Sequence, residues 1–201
     1  MSKEILKFRL QTLTKLIDYH DLSLEKEKHL LEAIEKLQNY IKYADLLDQK
    51  DQDVKLLIPR GTRGRGLNFI TNFVNTSKEL IIIDPYFFAG KEKRLNHYIN
   101  EIKRAINFQN LESLIIIYDD SKDNSDYKTA IIEMAQHNDC HLKLQSTSLI
   151  HDRIWIKDKQ EAILVGSSFG GVGKRRLSFI VDLPNEDLNA LLEYLSDNNL
   201  L

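Results

Sequence analysis

One cysteine, Cys140, stands in 201 residues, so no internal disulfide can form, as suits a reducing compartment. The chain also lacks a charge excess: 28 Lys and Arg against 30 Asp and Glu leave a net charge of −2. No global positive field draws it to a polyanion, and any such binding must come from a local basic patch. Long hydrophobic runs are missing too. The longest, "LIII" at 80–83 and at 114–117, are far too short to cross a bilayer, so no transmembrane segment is expected. The opening "MSKEILKFRL" is charged from its third residue and has no apolar signal core, which makes the cytoplasm the expected location. No repeat of 20–50 residues and no low-complexity tract is visible.

The rest is globular, with 42% hydrophobic and 29% charged residues, enough to bury a core. Leu6, Leu10, Leu13 and Ile17 form one helical stripe over 3–20, and Leu30, Ile34, Leu37, Ile41 and Ala44 a second over 23–47. With "DLS" between them as N-cap material, residues 1–50 read as a helical hairpin, a packing or assembly module that could receive a protein partner. The polar joint "DQKDQD" (48–53) marks a domain boundary, and 54–201 forms the second domain. There, short apolar strands (54–58, 79–87, 113–120, 141–147, 150–157, 161–166, 177–183) alternate with helices (66–77, 93–107, 126–137, 185–197). That pattern predicts an α/β fold with a mixed sheet flanked by helices.

Two phosphate motifs are excluded. A Walker loop needs a Gly where Ser168 stands and a Ser or Thr where Arg175 stands, and no G-x-G-x-x-G run occurs. What remains is "HDRIWIKDKQEAILVGSSFGGVGKRR" (151–176), with His151, Arg153 and Asp158 spaced H-x-R-x4-D ahead of Gly166-Ser167. Read as a strand, it points His151 and Arg153 to one face. Trp155 falls on that face as well, as a stacking platform or as core. Before it, "PRGTRGRG" (59–66) places Arg60, Arg63 and Arg65 among glycines between a strand and a helix, the context of an anion-binding loop. After it, "GKRR" adds Lys174, Arg175 and Arg176. His137 and His141 flank Cys140, but a helix-to-strand junction between them denies a fixed metal geometry, and Asp119-Asp120 suit a cap better than a metal; no metal or other cofactor is expected.

The H-x-R-x4-D run followed by Gly-Ser resembles the HKD motif of the phospholipase D superfamily, H-x-K-x4-D with a following Gly-Ser. The strands ending in "DPYF" and "YDD" agree with it, so the resemblance covers about 54–201. A weaker similarity is to the phospholipase D-like C-terminal domain of MIT-domain proteins. The resemblance implies a phospholipase D-like fold and metal-independent phosphodiester chemistry. His151 would be the nucleophile and Arg153 the phosphate clamp, with Ser167 and Ser168 in the phosphate-binding turn. Three departures stand against turnover. Arg153 replaces the motif's Lys, Phe169 stands where the family carries Asn, and one motif is present where catalysis uses two, which a homodimer would supply.

Several readings stay open. The leading one is recognition of a phosphodiester polyanion, most plausibly nucleic acid, by His151, Arg153, Ser167, Ser168, Arg60, Arg63, Arg65, Lys174 and Arg175. The second is a homodimeric phosphodiesterase or nuclease. The third is an assembly module for a protein partner or anionic lipid. In the plainest alternative, His151 and Arg153 only pair with Asp84, Asp119 or Asp182.

Overall fold

A computed structural model describes residues 10–14, 24–48, 54–174 and 176–201. The chain divides into two compact units, 1–52 and 53–201. In the first, residues 10–14 are helical and helix α1 runs Leu24–Asp48. Along α1 Ile34 is buried, with Leu30, Leu37 and Ile41 half-buried, the spacing of an apolar stripe. Most of the expected first helix and the turn after it lie outside the described residues.

The second unit is α/β, as its alternating pattern requires. Its elements are β1 (Val54–Ile58), α2 (Arg63–Val74), β2 (Glu79–Ile83), α3 (Leu95–Ala105), β3 (Ser113–Tyr118), α4 (Ser125–His137), β4 (His141–Ser146), β5 (Ile154–Lys157), β6 (Glu161–Val165), β7 (Ser178–Asp182) and α5 (Asn185–Asp197). One seven-stranded sheet has the order β1-β7-β6-β5-β2-β3-β4. Strands β2, β3 and β4 are parallel, because helices return the chain between them. β5, β6, β7 and β1 pair antiparallel. The change occurs between β2 and β5, where Ile83 faces Ile154.

Helices cover both faces. One core gathers Ile58, Ile70, Leu80, Ile82, Ile102, Leu114, Ile116, Ile131 and Trp155. The other lays Leu188 and Leu195 of α5 on Ile81, Ile83, Ile154 and Ile156. The "LIII" runs are apolar at every position because both faces are buried. Among the described residues no helix is long and apolar enough to cross a membrane.

Most elements match their sequence-predicted ranges within a few residues, but two differences bear on function. Helix α2 begins at Arg63 rather than 66, so half of "PRGTRGRG" is helix and the loop shrinks to 59–62. Strand β5 begins at Ile154 rather than 150, so His151 and Arg153 lie in the segment that enters it. The i, i+2 argument that put both side chains on one strand face therefore does not apply to them. Trp155 is fully buried, 5.9 Å from the ring of Phe169, and serves as core rather than as a platform.

Candidate functional site

The pairing register brings the motif's parts to one end of the sheet. β2 and β3 leave it through Asp84 and Asp119, β6 through Gly166 and Ser167, and β1 through Pro59 and Arg60, while β5 enters there from His151 and Arg153. The site thus sits at the carboxyl ends of the parallel strands, beside the switch from parallel to antiparallel pairing, where open α/β sheets offer a crevice.

Asp84 is the hub. It is fully buried, and its Oδ1 accepts the Tyr86 N–H at 3.0 Å while its Oδ2 accepts the Phe169 N–H at 2.8 Å. One carboxylate therefore fixes both the turn after β2 and the turn after Gly166-Ser167. Burial pushes its pKa up to about 6 against those two hydrogen bonds and the positive charge of Arg153. The Arg153 guanidinium carbon lies 5.3 Å from the centre of the Tyr86 ring, within cation–π range. The buried Nε of Arg153 and the buried Oγ atoms of Ser167 and Ser178 have no hydrogen-bond partner among the described residues. Unsatisfied buried donors cost roughly 1–3 kcal/mol each; a fourth, Ser77 Oγ, lies ahead of β2 at the other sheet end, but three gather at this one and call for an explanation there.

His151 is exposed. Asp119 is held below the usual carboxylate range chiefly by the Ser121 hydroxyl that donates to it at 2.6 Å, with a smaller contribution from the charge of His151. No ion pair joins His151 or Arg153 to a carboxylate among the described residues, and Asp182 pairs with Lys55 at 2.7 Å instead. Asp158 lies at the opposite sheet end. Its Oδ1 accepts the N–H groups of Lys78 and Glu79, both at 2.8 Å, and its φ of 52° sets the turn between β5 and β6.

The basic loops lie at the same sheet end as His151, and they touch: the Gly61 N–H donates to the Gly173 carbonyl at 2.8 Å. Gly173 has φ of 63°, and a Cβ there would come within 2.6 Å of the Arg63 backbone, so only glycine fits. Within this contact Arg63 is committed internally, and its expected role as a phosphate ligand gives way to a structural one. Its Nε and Nη2 grip both oxygens of Glu101, and its Nη1 donates to the carbonyls of Phe169 (3.0 Å) and Val172 (2.9 Å). Burial alone would raise the pKa of Glu101, but hydrogen bonds and charge from Arg63, then Lys174 and His97, outweigh it and hold the carboxyl low. Lys174 is 3.7 Å from Glu101, and burial lowers its pKa first, then the nearby Arg63 charge. Arg60 and Arg65 are exposed and Ser168 is half-buried, whereas Arg175 lies outside the described residues.

Asp84 and Ser178 are the site residues that sequence reasoning missed or undervalued. "IIIDP" did not separate Asp84 from Asp119, which also follows a doubly buried strand yet is only half-buried. Ser178 carried no signal.

No family model matches the chain, and no curated protein matches it. Among solved structures it is similar to NucT from Helicobacter pylori, with 13% identity, 71% of this chain and 92% of that one covered, and a TM-score of 0.48. It is also similar to Nuc from Salmonella typhimurium, a phospholipase D family member, at 15% identity, 68% and 85% coverage and a TM-score of 0.42. A third similar structure is TrmBL2, an archaeal chromatin protein with a novel mode of DNA binding, at 16% identity, 87% and 63% coverage and a TM-score of 0.41.

Proposed function

We propose that residues 53–201 recognise a phosphodiester-bearing polyanion, nucleic acid in the first place, at the sheet end built around Asp84. The observation that carries this reading is the set of orphaned donors: Arg153 Nε, Ser167 Oγ and Ser178 Oγ, buried at the strand ends that His151 also occupies. A phosphate offers several acceptor oxygens, and Arg grips it with planar paired donors. Arg60, Arg65 and Lys174 surround that end with further positive charge, which supplies the sequence-independent part of the affinity. The first unit is an assembly or packing module whose helices could receive a protein partner.

A second reading has one observation in its favour, the exposure of His151. Two chains paired about a twofold axis could bring two such histidines to one phosphate. One imidazole nitrogen would then bond to phosphorus as the ester P–O bond breaks, and the partner's imidazolium would protonate the leaving oxygen. Water attack on phosphorus would then break the P–N bond, returning the first imidazole and passing the water's proton to the second, which restores both groups. Such a step needs no metal.

The test is incubation of labelled single- and double-stranded DNA and RNA in EDTA with the wild type and with His151→Ala, scoring binding and cleavage. The binding reading expects retention of nucleic acid without cleavage by either protein. Cleavage by the wild type that disappears in His151→Ala would replace it with the second reading. Absence of both would remove nucleic acid as the ligand.

A further inference from the structure

Beside the site a half-open cleft of about 320 Å³ runs between the turn after β2, the start of α3 and the turn that follows Ser167. Its walls carry Tyr86, Lys91, Arg94, His97, Ser168 and Lys174, and no carboxylate is among the described residues that line it. In a chain of net charge −2, three cations and a histidine around one cleft are a local concentration of positive charge. Glu101, the carboxylate nearest to them, is gripped by Arg63 and also lies 3.7 Å from Lys174 and 3.3 Å from His97, which leaves Lys91 and Arg94 as the cations it does not pair with.

The cleft shares neighbours with the orphaned donors, which do not themselves line it. Tyr86 lines it and lies beneath Arg153, while Ser168 lines it and follows Ser167 directly. Asp84 fixes both of these walls through the Tyr86 and Phe169 N–H groups. The cleft's floor is equally set. A Cβ on Gly90 would lie 2.2 Å from the ring of Tyr127, whose hydroxyl donates to the Lys91 carbonyl at 3.0 Å. Its volume is at the lower end for small-ligand sites, about 300–1,000 Å³, large enough for one sugar-phosphate unit.

We infer that this cleft is a second phosphate subsite, in which Lys91, Arg94 and Lys174 hold the phosphate next to the one at Arg153. The inference rests on the reading of the Arg153 end as a phosphodiester site. It makes the ligand a chain of phosphodiesters rather than a single one such as a lipid head group. Nothing in the sequence singled out Lys91, Arg94 or His97, because they are scattered over a loop and a helix start.

Oligothymidylates of two, four and eight nucleotides, titrated at low salt, test it. In the wild type, affinity climbs steeply from the dinucleotide, which has one phosphate, to the tetranucleotide. The exposed pair Lys91→Ala/Arg94→Ala weakens the longer strands by on the order of tenfold and lowers the salt slope by about 0.7, the share of one phosphate on a single strand, while dinucleotide binding is kept. Arg94→Glu alone, at an exposed side chain, gives the same flattening, and circular dichroism checks that both variants are folded. Wild-type length dependence in these variants, with Arg153→Ala weakening every length, would overturn the second subsite and leave the first. If no oligonucleotide bound the wild type, both would fall.

Discussion

The two ends of the sheet treat one sequence motif in opposite ways. At the far end Asp158 is fully used, accepting two backbone N–H groups and shaping a turn. At the near end Arg153 and Ser167 are half-buried, and their buried Nε and Oγ atoms have no partner among the described residues. A spacing that reads as one catalytic constellation is split by a four-residue strand into a structural half and a binding half. Satisfied polar groups contribute stability, and unsatisfied ones reduce it in exchange for a ligand. The two halves should therefore respond to mutation in different readouts, stability at the far end and affinity at the near end.

The largest effect should come from the clamp that shapes the near end. Arg63→Ala leaves Glu101 buried without its main partner and frees the turn at Phe169 and Val172. A loss of about 3–5 kcal/mol in urea unfolding is expected, and a change under 1 kcal/mol would show that the clamp is not structural. Next, Asp158→Ala removes an acceptor of two N–H groups where φ is positive. It should cost about 2–3 kcal/mol of stability with oligonucleotide affinity unchanged. Asp158→Gly relieves the backbone strain but not the lost bonds, and should recover only part. Arg153→Ala sharpens the contrast: stability within about 0.5 kcal/mol of wild type, but affinity down roughly 30-fold, or about 2 kcal/mol.

The pH dependence separates two carboxylates in the same way. Asp84 titrates near 6 when folded, above the ordinary 3.8. Its contribution is complete below pH 4 and is lost as pH rises through 6, on the order of 3 kcal/mol in all. Glu101 is shifted down, so its contribution is present above its ordinary range and is lost as pH falls. Unfolding measured from pH 4 to 8 should show Asp84→Asn losing the first dependence. The smallest effect is at Arg60 and Arg65, where each substitution by Ala should lower the salt slope of binding by about one and leave stability alone. A full loss of binding from either would move the centre of the site to the 59–62 loop.

Much of the fold was legible because doubly buried strands spell themselves out as "LIII", and α4 and α5 announce themselves by period. The residues proposed for the candidate site could be named from sequence, but not their geometry. His151, Arg153 and Ser167 do meet at one sheet end, yet through the entry to β5 rather than along it, since a short apolar run does not reveal where pairing begins. Arg63 looked like its neighbours Arg60 and Arg65. What distinguishes it is a carboxylate from α3 and carbonyls near 170, contacts made by tertiary packing, as with the partners of Asp84. Trp155 was a matter of one face against the other, decided by the ring of Phe169.

The most direct measurement is calorimetric titration of one oligonucleotide into wild type, Arg153→Ala and Asp158→Ala at a single salt concentration, with folding verified for each. The contrast between the two sheet ends predicts tight binding by wild type and by folded Asp158→Ala, and its collapse in Arg153→Ala. Wild-type affinity in Arg153→Ala would contradict the central claim that the near end of the sheet holds the phosphate.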